Sequence, residues 1–153
     1  TLCMFELNIT ILVLDTTYYN KEHQKSLDNF VGKPYSLFEA LKRGGVGSKR
    51  MIIETVSPNL NLVLNTISDI NYANIEMRKK GILIHITKGH QNYTWAIPFY
   101  HLVVYKTDGM SIHAQGKFIH FKKSKNFYEN KGFLSTMLDE KIQFDEQYKL
   151  PAL

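Results

Sequence analysis

The strongest constraint on the fold is the alternation of apolar and polar residues between Tyr72 and Lys122. Residues 82, 84 and 86 are all isoleucine, and they alternate with Leu83, His85 and Thr87. Because successive side chains of a strand point to opposite faces, this period of two predicts strands in a sheet. Short turns with glycine separate the runs, which predicts an antiparallel meander.

Two positions define the meander further. The run from residue 93 to 106 is too long for one regular strand, and Pro98, which has no N–H to donate, predicts a bend, a bulge or a sheet edge. Gln115-Gly116 is typical of a two-residue hairpin loop, which would pair Ile112 with Ile119 on the inner face.

Helix signals precede and follow the strands. Ser36 and Glu39 form a capping-box pattern, which predicts a helix over residues 37–43. Ser57-Pro58 is typical of a helix start, and an apolar stripe follows to residue 70. From Lys131 the apolar residues return to helical spacing, which predicts a closing amphipathic helix. Residues 9–14 predict a short strand, and residues 15–28 have no clear period.

The glycine-rich stretch 44–50 is typical of a linker. It divides the chain into residues 1–50, an N-terminal extension or partial segment, and residues 51–153, a single α+β domain. The predicted fold is a bent antiparallel sheet or partial barrel, with a helix before the meander and a closing C-terminal amphipathic helix.

Composition limits the class of protein. The 153 residues are 44% apolar and 12% aromatic, so the chain can bury a core. The single cysteine, Cys3, excludes an internal disulfide framework and fits a reducing compartment. The N-terminal region has no apolar run that spans a bilayer and no basic residue before Lys21. We therefore expect a cytoplasmic protein without a transmembrane segment.

Positive charge is concentrated in residues 78–131, which carry ten Lys and Arg against two acids, on a chain whose net charge is +5. A basic rim that binds an anionic or protein partner is one hypothesis, and lysines that only solubilise turns and edges are the alternative. Nucleic acid is less favoured, because no aromatic RNA-binding motif is present. The candidate binding residues lie at turns and strand ends: Arg78, Lys79, Lys80, Lys88, Lys122, Lys123 and Lys125.

Five of the six histidines lie between residues 85 and 120, and three of them, His85, His113 and His120, fall on the polar side of the predicted strands. These three are weak candidates for a shared metal, since no HxH or HExxH spacing accompanies them. The sequence contains no nucleophile elbow and no nucleotide-binding glycine motif. We therefore predict no enzyme activity, no catalytic residue and no cofactor.

One resemblance spans residues 72–141. It rests on Lys80-Gly81-Ile82, on the stretches 95–100 and 111–119, and on the closing helical pattern of residues 133–142. In this order the elements resemble the bacterial branch of the pleckstrin-homology-like (PH-like) superfamily. That resemblance implies a bent barrel plugged at one end by the closing helix, with loops at the opposite rim that hold lipid headgroups or peptides.

These observations favour a noncatalytic binding module of unknown ligand, whose basic rim recognises an anionic or protein partner. The alternative is a histidine-dependent metal-binding protein or enzyme. A third hypothesis is a homo-oligomer formed through an exposed strand edge.

Overall fold

The computed structural model describes residues 12–60 and 71–148, and eight strands in that part of the chain form one antiparallel sheet. The order of strands is β1-β5-β4-β3-β2-β8-β7-β6, so β1 and β6 are the edges. The bounds are Leu12–Asp15 (β1), Met51–Val56 (β2), Tyr72–Met77 (β3), Gly81–Lys88 (β4), Gln91–Pro98 (β5), Val103–Tyr105 (β6), Met110–Ala114 (β7) and Lys117–Phe121 (β8).

The helices lie before and after the strands of the meander. The α-helices are Lys21–Val31 (α1), Leu37–Lys42 (α2), Lys125–Glu129 (α3) and Lys131–Gln147 (α4), and Phe99–His101 forms a 3-10 helix. The capping box at Ser36 and the closing helix are confirmed. Of the predicted helix at residues 58–70, residues 58–60 are helical, and the rest lies outside the described residues. No described helix is long and apolar enough to cross a membrane.

The hairpin between β7 and β8 has the predicted register. Ala114 pairs with Lys117 and Ile112 with Ile119, which leaves Gln115 and Gly116 as the two-residue loop. Both loop residues have positive φ, 52° and 79°. That backbone is the one a type I′ hairpin turn requires, and glycine adopts it without strain.

Strand β5 ends at Pro98, where the sequence predicts a bend, a bulge or an edge. The 3-10 helix follows, and the chain continues into β6, the edge strand at the opposite end of the sheet from β1. The long run of residues 93–106 is therefore two strands that belong to different ends of one bent, unclosed sheet. The N–H of Phe99 donates to the carbonyl of Lys80 at 3.0 Å. Because neighbouring residues of a strand bond to opposite sides, the Pro98 nitrogen, which has no N–H, faces away from β4.

The main core fills the inner face of the bent sheet. Trp95, Ile112 and Phe121 are fully buried there, and Leu134 and Met137 of α4 pack among the same residues. The fold is α+β, as predicted.

A second, smaller core lies on the opposite face of β4 and β5. Leu27 and Val31 of α1 pack there with Leu83, Ala96 and the leucines of β1. The sequence prediction missed α1, because its two buried residues are a weak signal among polar neighbours. The Asn20 side chain, which accepts hydrogen bonds from the N–H groups of Glu22 (2.9 Å) and His23 (3.3 Å), was the available signal.

Residues of the predicted linker contact β3. The N–H of Met77 donates to the carbonyl of Val46 at 2.7 Å, and the N–H of Ser48 donates to that of Ile75 at 2.8 Å. The division of the chain at residues 44–50 stays a prediction.

Candidate functional site

The strand register separates the predicted basic residues into groups. Lys79 and Lys80 precede the start of β4, whereas Lys88 ends it. At roughly 3.3 Å per residue, an eight-residue strand places them about 20 Å or more apart. Lys122, Lys123 and Lys125 follow β8, on the far side of β3 and β2 from β4. The seven residues therefore do not form one rim.

Arg78 is buried rather than exposed. Its side chain is 5% accessible and forms ion pairs with Glu76 and with Asp28 of α1, the latter at 3.0 Å. It also donates to the carbonyl of Gly32 at 3.1 Å. Because these partners come from α1 and β3, Arg78 attaches the helix to the sheet and is not available to a ligand.

Two more of the predicted lysines have acidic partners. Lys79 lies 3.7 Å from Glu39, and Lys123 lies 3.4 Å from Asp108. Lys80, Lys122 and Lys125 are exposed. Lys125 begins α3, so it lies near the groove described next.

An apolar groove of about 430 Å³ separates the β6–β7 turn from the last two helices, and we call it the β6–α4 groove. Met110 of β7, Phe127 of α3, and Leu134 and Leu138 of α4 supply its apolar wall. The remaining lining residues are Lys106, Gly109, Lys131 and Ser135. Three separate segments form this site, so the groove exists only in the folded chain.

Two lysines flank this groove. Lys106 follows directly after β6, and Lys131 begins α4, where its amine lies 5.3 Å from the centre of the Tyr128 ring. Within residues 12–60 and 71–148, neither lysine forms an ion pair. Each therefore keeps a charge that no carboxylate of the described residues pairs with. Both belong to the basic region of the sequence, but neither is among the seven predicted binding residues.

Strand β6 is an open edge beside the groove. Among the described strands it pairs only with β7, and the side chains of Val103 and Tyr105 are exposed. An edge strand has backbone N–H and C=O groups on one side that can pair with another chain. The edge and the groove are thus neighbouring features of one surface.

A cleft of about 400 Å³ beside α1 contains a different kind of polar cluster. His85 lies 3.2 Å from the Thr94 hydroxyl through Nδ1 and 3.3 Å from Glu76 through Nε2. The Thr94 hydroxyl also contacts that of Thr16 at 2.8 Å. This cluster was missed from the sequence, because the register of β3, β4 and β5 brings its members together.

The hydrogen bonds of this cluster stabilise the ionised form of Glu76. Burial by itself raises the pKa of Glu76, but hydrogen bonds from His85 and Arg78 outweigh it and hold that pKa below its ordinary value. Hydroxyl, imidazole and carboxylate are the groups of a nucleophilic triad. However, Thr94 is only 1% exposed, and its hydroxyl is already bonded to Thr16 and His85.

The other two candidate histidines have separate surroundings. His113 lies between Tyr105 and Phe118, with ring centroids 4.8 and 5.2 Å away, and burial lowers its pKa. His120 lies 2.6 Å from the Ser111 hydroxyl and 3.1 Å from Glu54. In the part of the chain that the structure describes, no three His, Cys, Asp or Glu side chains could hold a metal together.

Comparisons of this chain with protein-family models, with curated proteins and with solved structures found no match.

Proposed function

We propose that this chain is a noncatalytic binding module that holds an acidic, partly apolar segment of a protein partner in the β6–α4 groove. The observation that carries the proposal is the combination of an apolar groove with Lys106 and Lys131, which lack ion pairs within the described residues, at its rim. This keeps the predicted anionic or protein partner but moves its site away from the predicted rim.

Each part of the surface has a role in such recognition. Apolar side chains of the partner would leave water against Leu134 and Leu138, which supplies affinity. The two lysines would attract carboxylates of the partner and set its direction. The free side of β6 would pair with an extended backbone, the mode known as β-strand addition.

The order of elements supports a PH-like arrangement as part of this proposal. From β2 to β8 the chain has seven antiparallel strands, with β2 between β3 and β8, and α4 packs on the inner core. The resemblance in the sequence implies a bent barrel closed by a final helix, and this order agrees with it. β1 and α1 are additions to that pattern. A cytoplasmic, bacterial origin stays part of the proposal and rests on the sequence alone.

Selection from a random peptide library on the immobilised full chain tests the function. We expect enriched peptides to combine Asp or Glu with Leu, Ile or Phe. Lys106→Glu with Lys131→Glu should weaken binding of an enriched peptide about tenfold or more in fluorescence anisotropy, because two attractive charges become repulsive.

The matched control is Lys80→Glu with Lys88→Glu, which reverses two charges of the predicted rim. It should leave affinity within about twofold, since long-range effects are screened by salt. Loss of binding in this control but not in the groove variant would overturn the groove and restore the rim. Peptides enriched without acidic residues would also contradict the proposal.

A further inference from the structure

Helix α2 presents its apolar side chains to water, whereas its Glu39 side chain contacts Lys79 of the β3–β4 turn. Leu37, Phe38 and Leu41 are 79%, 76% and 73% exposed, and no residue of the helix is buried. Leu37 and Leu41 are one turn apart and Phe38 is adjacent, so the three share one face. A surface helix normally buries such a face against the core.

Polar contacts, not burial of the apolar face, hold α2 in place. Ser36 and Glu39 close the capping box, and Glu39 pairs with Lys79 of the β3–β4 turn at 3.7 Å. At the other end, the guanidinium of Arg43 pairs with Glu140 of α4 and lies 4.4 Å from the centre of the Tyr35 ring. These contacts therefore hold the helix in the orientation that leaves its apolar face exposed.

Around this face, the charged side chains without an ion pair among the described residues are lysines. Lys33 before the helix and Lys42 at its end are exposed, and neither forms an ion pair with any described residue. The two acids that take part in these contacts, Glu39 and Glu140, both form ion pairs, with Lys79 and Arg43 respectively. The surface therefore combines three protruding apolar side chains with two unneutralised lysines.

We propose that α2 inserts Leu37, Phe38 and Leu41 into the interface of a membrane that contains anionic lipid, with Lys33 and Lys42 at the headgroups. A lipid surface receives protruding apolar side chains without a matching cavity, and it attracts lysines next to them. A protein partner would need an acidic pocket shaped to these three side chains. This surface is separate from the β6–α4 groove, and the inference does not depend on it.

Flotation of the full chain with vesicles tests the proposal. Vesicles of phosphatidylcholine with about one-third phosphatidylserine should bind it, and phosphatidylcholine alone should bind it more than about tenfold less. Leu37→Ser, Phe38→Ser and Leu41→Ser together should abolish flotation. Lys33→Gln with Lys42→Gln should weaken it about 25-fold, at about fivefold for each lysine.

Two control variants keep the test specific. Tyr18→Ser with Tyr19→Ser removes two side chains of similar exposure, 84% and 81%, that precede α1. Lys21→Gln with Lys25→Gln removes two charges from the first half of α1. Both variants should float as the unaltered chain does. As a direct readout, Trp in the variant Phe38→Trp should shift its emission to the blue with anionic vesicles.

Three outcomes would overturn the inference. The unaltered chain does not float with anionic vesicles at low salt, or the triple serine variant floats equally well. Alternatively, the chain is a dimer in solution that the triple variant converts to a monomer, in which case a second copy covers the face. Since all substituted side chains are exposed, circular dichroism should show each variant folded.

Discussion

The cleft beside α1 and the β6–α4 groove both carry basic residues, but they use them in opposite ways. Beside α1, Arg78 is buried and bound by two carboxylates and a carbonyl. At the groove, Lys106 and Lys131 have no acidic partner among the described residues and adjoin apolar side chains. The comparison shows that charge in the sequence does not identify a binding site until each charge has been assigned its partners.

The largest effect should come from removing Arg78. We expect Arg78→Met to lower the free energy of unfolding by about 3–5 kcal/mol, because Glu76 and Asp28 would remain without their cation. Urea unfolding followed by circular dichroism measures this. Lys80→Met, at an exposed position, is the control and should change stability by less than about 0.5 kcal/mol. Equal stability of the two variants would contradict a structural role for Arg78.

Gly81 should be the next most sensitive position, because it lies where α1 meets the sheet. A Cβ there would meet the carbonyl oxygen of Ile97 at 2.3 Å and Cγ1 of Val31 at 2.9 Å. We expect Gly81→Ala to cost about 1–3 kcal/mol by overpacking. Gly132→Ala, whose added Cβ meets nothing within 4 Å, is the control and should not destabilise the chain in the same unfolding experiment.

Lowering the pH should weaken the cluster beside α1, because protonation of Glu76 removes the charge that its hydrogen bonds stabilise. Its folded pKa is lowered, so the unfolded chain binds the proton more readily, and the stabilisation is lost as the pH falls through the folded pKa. Below about pH 4 the free energy of unfolding of the unaltered chain should therefore fall by about 1 kcal/mol more than that of Glu76→Gln. This magnitude is the net contribution of a typical hydrogen bond. Parallel pH curves of unfolding free energy for the two chains would contradict this.

The smallest effect on stability should come from the groove. Lys106→Glu with Lys131→Glu should change the free energy of unfolding by less than about 0.5 kcal/mol, because neither lysine forms an ion pair within the described residues. The same variant should lose affinity for the selected peptides. If it unfolds as readily as Arg78→Met, the two regions do not differ as proposed.

The parts of the fold that the sequence predicts correctly depend on local pattern. The register of Ile112 with Ile119 follows from a two-residue turn and from alternation over ten positions. The capping box needs only Ser36 and Glu39, three residues apart. Such signals need no knowledge of the rest of the chain.

The parts that it misses depend on distant contacts. Arg78 looks like the first residue of an exposed basic turn, yet its partner Asp28 lies fifty positions earlier in a helix that the sequence signals only weakly. The groove combines Met110, Phe127 and Leu138 from three segments. Pairings of this kind become visible only when the sheet order and the position of α4 are known.

The most direct test of the central claim is a chemical-shift map of the isotope-labelled full chain with a selected acidic peptide. The proposal predicts shifts at Val103–Tyr105, at Met110 and along residues 131–138 of α4, and none of them in Lys106→Glu with Lys131→Glu. Shifts confined to Asn74, His85 and Thr94 beside α1, or to the turn at Lys79 and Lys80, would contradict it.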